Sequence, residues 1–94
     1  MNVVVEFNGV ARVVTGVRQL PLSLDEGTTF RDLVRLLGAK FPSMIGQVIQ
    51  PDGETFYPSN MLNLNGKQMI QPSQMHNSPQ DGDRVILMSV LAGG

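Results

Sequence analysis

Asp81-Gly82-Asp83-Arg84-Val85-Ile86-Leu87-Met88-Ser89-Val90-Leu91-Ala92-Gly93-Gly94 closes the chain. Asp81-Gly82-Asp83 reads as a turn, Arg84 to Val90 as a strand, and Leu91-Ala92-Gly93-Gly94 as a tail. Period-two alternation sends Val85 and Leu87 to one face of that strand and Ile86, Met88 and Val90 to the other. Lacking a Cβ, Gly93 and Gly94 can lie extended while another protein's backbone closes tightly around them. A chain that stops on Gly-Gly offers a free α-carboxylate on a side-chain-free stalk, one that can be threaded into a narrow channel and activated, for instance by ATP. Flexible glycine tails are also common at domain ends. The weight of the tail therefore depends on whether the preceding residues form a domain built to present it.

Working outward, the clearest element is a helix. Phe30, Leu33, Val34, Leu37 and Phe41 form one apolar stripe at i, i+3, i+4, i+7 and i+11, with Arg31, Asp32, Arg35 and Lys40 on the wet side. Thr29 and Asp32 have capping-box spacing, with Asp in place of the usual Glu. Gly38 weakens the last turn by about 1 kcal/mol relative to Ala, and Pro42 ends it. Before the helix, Val3, Val5 and Phe7 alternate with Val4 and Glu6 in a first strand. Leu20, Leu22 and Leu24 alternate with Pro21 and Ser23 in a second, where Pro21 should face away from the neighbouring strand or sit at a sheet edge. Between them, Asn8 to Gln19 reads as a long mobile connection with some extended character, despite the hairpin dipeptide Asn8-Gly9.

After the helix, Met44, Ile45, Val48 and Ile49 suit one or two short helical turns under the sheet. Leu62 and Leu64 mark a third strand, Asn65-Gly66 a type I′ turn, and Lys67 to Ile70 a short return strand. Gln71 to Gln80 reads as a polar surface loop. The closing strand is expected in the middle of the sheet, paired with the first. The fold class is α+β: a mixed sheet of four to five strands with one main helix on one face, the domain spanning residues 1–90 and the tail 91–94.

Composition narrows the function. Ninety-four residues predict one domain, and seven basic and eight acidic residues lie scattered for a net charge of −1. No basic block or aromatic-plus-Arg interleaving points to nucleic acid. Apolar runs fall short of a membrane span. The start, Met1-Asn2-Val3-Val4-Val5-Glu6, lacks the cationic segment of a secretory signal, so a cytoplasmic location is expected. Cysteine is absent, which excludes disulfides, Cys-ligated metal and a thiol nucleophile. The one histidine, His76, sits in a Pro/Ser/Gln/Asn-rich stretch and reads as solvated. No metal site and no catalytic constellation is expected.

The layout resembles the β-grasp, or ubiquitin-like, fold. The stretch from Asp81 to Gly94 is similar to the close of sulfur-carrier proteins in that fold, which typically end with a Gly-Asp turn, a hydrophobic strand and Gly-Gly. These carriers are the molybdopterin synthase small subunit, the thiamine sulfur carrier, and relatives in cysteine synthesis and tRNA thiolation. Thr29 to Asp32 opening the helix, the Asn65-Gly66 turn, and the absence of an extension past Gly94 also match. Length, the Met1-Asn2-Val3 start and the Thr15-Gly16 loop look closest to the cysteine-synthesis carriers. Ser89-Val90 stands where molybdopterin-type subunits usually carry Pro-Pro, which leaves the partner's identity open.

The resemblance implies a carrier and substrate rather than a catalyst, with no bound cofactor and with ATP used by an activating enzyme. That enzyme adenylates the Gly94 carboxylate, a sulfur source displaces AMP, and the thiocarboxylate passes its sulfur to a partner. The partner is a cysteine synthase-like enzyme, the molybdopterin synthase large subunit or thiazole synthase. The free protein is expected to be a monomer. Leu91, Ala92 and Gly93 are the tail, and Ile86, Met88 and Val90, exposed or only partly covered beside it, are expected to form the docking patch. Two alternatives stay open: a ubiquitin-like modifier joined through Gly94 to lysines of target proteins, and a non-catalytic β-grasp interaction module with an incidental tail.

Overall fold

The computed structural model describes residues 1–89. Its strands are β1 (Asn2–Phe7), β2 (Gln19–Ser23), β3 (Asn60–Leu64), β4 (Gln68–Ile70) and β5 (Arg84–Ser89). They form one sheet in the order β2-β1-β5-β3-β4. The closing strand is central and paired with the first, as expected. It runs parallel to β1, with Val5 opposite Val85 and Phe7 opposite Leu87. It runs antiparallel to β3, with Leu62 opposite Leu87. Pro21 lies on β2, an edge strand, where its missing N–H costs no ladder bond.

Two helices accompany the sheet: α1 (Val10–Thr15) and α2 (Phe30–Lys40). The apolar stripe of α2 packs on one face of the sheet. Phe30, Leu33, Val34 and Leu37 meet Val3, Val5, Phe7, Leu62, Val85 and Leu87, all at most 2% exposed. The Thr29–Asp32 capping box is formed. Gly38 has a packing role that the helix pattern does not reveal. A Cβ there would lie 3.0 Å from Ile45 Cδ1 and 3.5 Å from Ile49 Cδ1. The missing side chain lets the following segment close against the helix. That segment begins with a 3-10 turn at Pro42–Met44 and buries Met44, Val48 and Ile49 completely.

The connection from Asn8 to Gln19 is not extended: α1 occupies its middle. Its Val-Val-Thr content disfavours helix locally, but tertiary packing outweighs that preference. Ala11 is 1% exposed in the core, and Val14 and Val17 pack against it. Thr15 Oγ1 donates back to the Ala11 carbonyl at 2.7 Å. Gly16, in the left-handed region at φ 70°, donates its N–H to the Arg12 carbonyl and closes the helix.

The stretch from Gln71 to Gln80 is also more than a surface loop. Phe30 N–H donates to the Asn77 carbonyl at 2.9 Å, and Arg31 N–H to the Met75 carbonyl at 3.0 Å. These bonds satisfy first-turn amides of α2 that no intrahelical partner can reach. Pro79 is buried, and Met75 packs on the core. Asn65 and Gly66 take φ of 59° and 74°, and Lys67 N–H donates to the Leu64 carbonyl at 3.0 Å, the expected tight turn of the β3–β4 hairpin.

Candidate functional site

The site is built where β5 ends. Asn8 N–H donates to the Leu87 carbonyl at 2.9 Å, so the end of β1 holds β5 on one side. On the other side Ser89 faces Asn60, the first residue of β3. Ser89 Oγ donates to Asn60 Oδ1 at 3.0 Å, and Asn60 Nδ2 donates to the Tyr57 carbonyl at 3.3 Å. Gly9 sits against this point with φ 62° and ψ −134°, a backbone conformation open to glycine alone. A Cβ on Gly9 would come within 3.0 Å of Ser89 Oγ and 3.1 Å of Ser89 Cβ. Gly9 and Asn60 thus flank Ser89, the last described residue of the central strand, and the three form one collar. Sequence reasoning missed all three. The Asn8-Gly9 dipeptide was the available signal, and it marks a helix start beside the exit rather than a hairpin.

Gly94, with Gly93, Ala92, Leu91 and Val90, lies outside the described residues. Of the expected docking patch, Ile86 and Met88 are placed, both on the sheet face opposite α2. Ile86 is only 9% exposed, more covered than expected, because the face is crowded: it stands in register between Glu6 of β1 and Asn63 of β3. Met88 is half-buried and pairs with Met61 of β3. Asn63 in turn pairs with Met69 of β4. Alternation therefore gathers Met61, Met69 and Met88 around Ile86. Thioether side chains re-pack easily, which suits a surface that meets more than one partner.

This open face carries polar features too. Arg84 Nε lies 2.6 Å from Glu6 Oε2, a diagonal ion pair across the parallel β1–β5 ladder. Asn63 Nδ2 spends itself on the Met69 sulfur at 3.3 Å, and its buried Oδ1 has no hydrogen-bond partner within the described residues. A buried acceptor left unpaired costs about 1–3 kcal/mol. Beside the exit, α1 exposes Val10 at 43% and Val13 at 83%. His76 is exposed, and among the described residues no three His, Cys, Asp or Glu side chains gather as a metal would require. No described helix is long and apolar enough to cross a membrane.

A five-stranded mixed sheet with one main helix across one face, and a closing strand in its centre, defines a ubiquitin-like β-grasp protein. The chain belongs to the ThiS family, whose model matches residues 5–94. It is 30% identical over 94 residues to small archaeal modifier protein 3 of Haloferax volcanii, covering all of both chains. Its fold is similar to the crystal structure of SAMP1 from Haloferax volcanii, with a TM-score of 0.81, 21% identity and full coverage of both chains. It is also similar to a chain in the complex of subunits 1 and 2 of molybdopterin-converting factor from Helicobacter pylori. That match has a TM-score of 0.62 and 17% identity, and covers both chains in full. The full-length relative is by name a small archaeal modifier protein, and the Helicobacter pylori structure is a complex of the two subunits of its factor.

Proposed function

We propose that this chain is a sulfur-carrier protein whose C-terminal carboxylate, at Gly94, is activated in another protein's pocket. One relationship carries the reading: Gly93-Gly94 follows Ser89, the end of the central strand, by only a few residues, within a domain whose family match runs to residue 94. A Gly94 carboxylate oxygen attacks the α-phosphorus of ATP. Pyrophosphate leaves, and an acyl-phosphate anhydride with AMP remains. Hydrosulfide adds to that carbonyl, the bond to the AMP oxygen breaks, and a thiocarboxylate forms with no net oxidation. The thiocarboxylate then gives its sulfur to an acceptor held by a biosynthetic enzyme. ATP is consumed by the activating enzyme and is no cofactor of this chain.

The chain's own contribution is presentation. Leu91, Ala92, Gly93 and Gly94 form the reactive stalk. Met88, with Ile86 and Met61 on the same sheet face, forms the described part of the docking patch, to which Val90 is assigned by sequence alternation. A partner donor reaching Asn63 Oδ1 relieves an unpaired buried acceptor, so the cost carried by the free domain favours the complex. The expected partners are an ATP-dependent activating enzyme and a sulfur-accepting enzyme of cofactor or amino-acid biosynthesis. A cytoplasmic location fits that chemistry.

A second reading is supported by the name of the full-length relative, a small archaeal modifier protein. In it the same Gly94 adenylate is attacked by a lysine amine of a target protein, AMP leaves, and an isopeptide bond forms. ATP–pyrophosphate exchange in an extract of the native cell tests the step common to both. Exchange that rises with added chain and vanishes when one residue is appended to Gly94 supports activation. Exchange indifferent to the chain overturns it in favour of an interaction module.

A further inference from the structure

We infer that a notch beyond the end of β4 receives an aromatic side chain of a partner protein, with a carboxylate next to that side chain held by Arg31; this extends the docking surface proposed above and uses none of the chemistry at Gly94. The notch exists because β4 is shorter than the strand it covers. It pairs with β3 only from Leu62 to Leu64 and ends at Ile70. The chain then turns away at Pro72, which leaves Asn60 and Met61 of β3 without a neighbouring strand on that side. The opening holds about 390 Å³. That is room for one large side chain and its flanking backbone, but too little for a helix, whose diameter with side chains is about 10 Å. Phe56, Ile70 and Met75 give the notch its apolar surface, and all three are anchored on the core.

Both walls are tied down before a partner arrives. On one side Gln50 N–H donates to the Thr55 carbonyl at 2.7 Å, and Gln50 Nε2 donates to the Phe56 carbonyl at 3.1 Å. On the other, the bond from Arg31 N–H to the Met75 carbonyl joins rim to floor. Such preorganisation lowers the ordering cost of binding. Two polar groups then select the occupant. Glu54, the acid on the rim, is held by Arg35 Nε at 2.6 Å, whereas among the described residues Arg31 has no ion pair and no side-chain hydrogen bond. The rim thus offers one uncommitted positive charge to a carboxylate. Asn60 supplies an acceptor. Even-numbered residues of β3 turn their backbone groups toward β4, as the Leu64 carbonyl does in accepting from Lys67 N–H. Continuing the register sets Pro72 opposite Asn60, and proline has no N–H to answer that carbonyl. A backbone N–H of a partner segment can answer it. Met61 lines the notch and also pairs with Met88 on the open face, so a protein covering that face already has chain at the mouth. Aromatic anchors in well-packed pockets carry much of the energy of such contacts. The free carbonyl and the shared Met61 favour a protein segment over a free metabolite.

Two-dimensional amide NMR of the full chain is followed while the blocked peptide acetyl-Gly-Trp-Glu-Gly-amide is added. Counterparts with Ala for Trp and with Gln for Glu, and indolepropionate, which has the ring and carboxylate but no peptide backbone, are titrated in parallel. The expected result is a set of shifts at Phe56, Ile70 and Met75 that saturates with a Kd on the order of 1 mM. The Ala peptide leaves those residues unshifted, and the Gln peptide binds about threefold more weakly. Indolepropionate binds more weakly than the Trp-Glu peptide. Arg31 is exposed, so Arg31→Gln should fold, which thermal unfolding checks, and it should bind the Glu and Gln peptides alike. No shift at the notch at ten times the expected Kd overturns the inference, as do shifts confined to Ile86 and Met88. Equal binding of the Ala peptide, or a preference for Glu that survives in Arg31→Gln, also overturns it. Tighter binding of indolepropionate gives the notch to a metabolite, and notch shifts that grow with chain concentration in the absence of peptide give it to a second copy; either result contradicts a partner's side chain. None of these outcomes alters the reading of Gly94, which the exchange assay tests separately.

Discussion

Thr29 and Asp32 hold each other across the first turn of α2. Asp32 N–H donates to Thr29 Oγ1 at 3.0 Å, and Thr29 N–H donates to Asp32 Oδ2 at 3.1 Å. The Thr29 bonds, backbone first and then hydroxyl, hold the Asp32 carboxyl below its ordinary pKa, and Arg35 and Arg31 add to the effect. A depressed carboxylate pKa contributes stability above the unfolded value of about 3.9, and loses it as pH falls through the folded value. Asp32→Asn should therefore be less stable than the native chain at pH 7 and converge with it near pH 2, as read by urea unfolding at the two pH values. A gap that persists at acid pH would show that the charge is not responsible. Thr29→Ala, which deletes the hydroxyl acceptor, should cost about 1 kcal/mol at neutral pH.

Gly38 and Ile45 are coupled through space. Gly38→Ala adds helix propensity of about 1 kcal/mol, but its methyl meets Ile45 Cδ1 at 3.0 Å, and overpacking of this kind costs about 1–3 kcal/mol. The single variant should be neutral to destabilised. In an Ile45→Val background, which lacks Cδ1, the same substitution should become stabilising. Denaturant midpoints of the four members of this double-mutant cycle give the sign directly.

Leu87 is fully buried and pairs on both sides, with Phe7 and with Leu62. Leu87→Ala should lose about 2–5 kcal/mol. In a domain of this size that lowers the melting temperature by roughly 4–8 °C per kcal/mol, a fall calorimetry will resolve.

Met88, one residue on, points the other way and is half-buried on the open face. Met88→Asp should cost about 1 kcal/mol of stability while lowering exchange activity with the activating fraction by tenfold or more. Equal loss of stability and activity would place Met88 in the core and remove it from the docking patch.

Much of this architecture is legible in the residues, and the illegible parts have physical causes. The α2 stripe, the Thr29–Asp32 box, the Asn65-Gly66 turn and the alternation of β5 are local patterns with one sterically favoured reading each. Helix α1 is not. Gly9 offers no side-chain cap, the first turn has no acidic residue, and its Val and Thr content favours strand. The burial of Ala11 and the contact of Gly9 with Ser89, eighty residues apart in the chain, decide the outcome. The capping of α2 by the Met75 and Asn77 carbonyls is likewise a long-range event without a composition signature. At the site, the alternation that puts Ile86 and Met88 on the face away from α2 was readable, although Ile86 is more covered than expected and Val90 lies outside the described residues. The collar of Gly9, Asn60 and Ser89 was not, because three residues from three segments meet only in the folded sheet.

The central claim is that Gly94 is the reactive atom's carrier. Intact-mass spectrometry of the chain recovered from its native cell, beside the same chain bearing one residue after Gly94, tests it most directly. The native chain should include a species heavier by one oxygen-to-sulfur exchange at the C-terminus, absent from the extended chain. No such species in the native chain, under conditions where its activating fraction is present and competent, would contradict the sulfur-carrier account. Lysine-linked adducts through Gly94 in its place would assign the chain to protein modification.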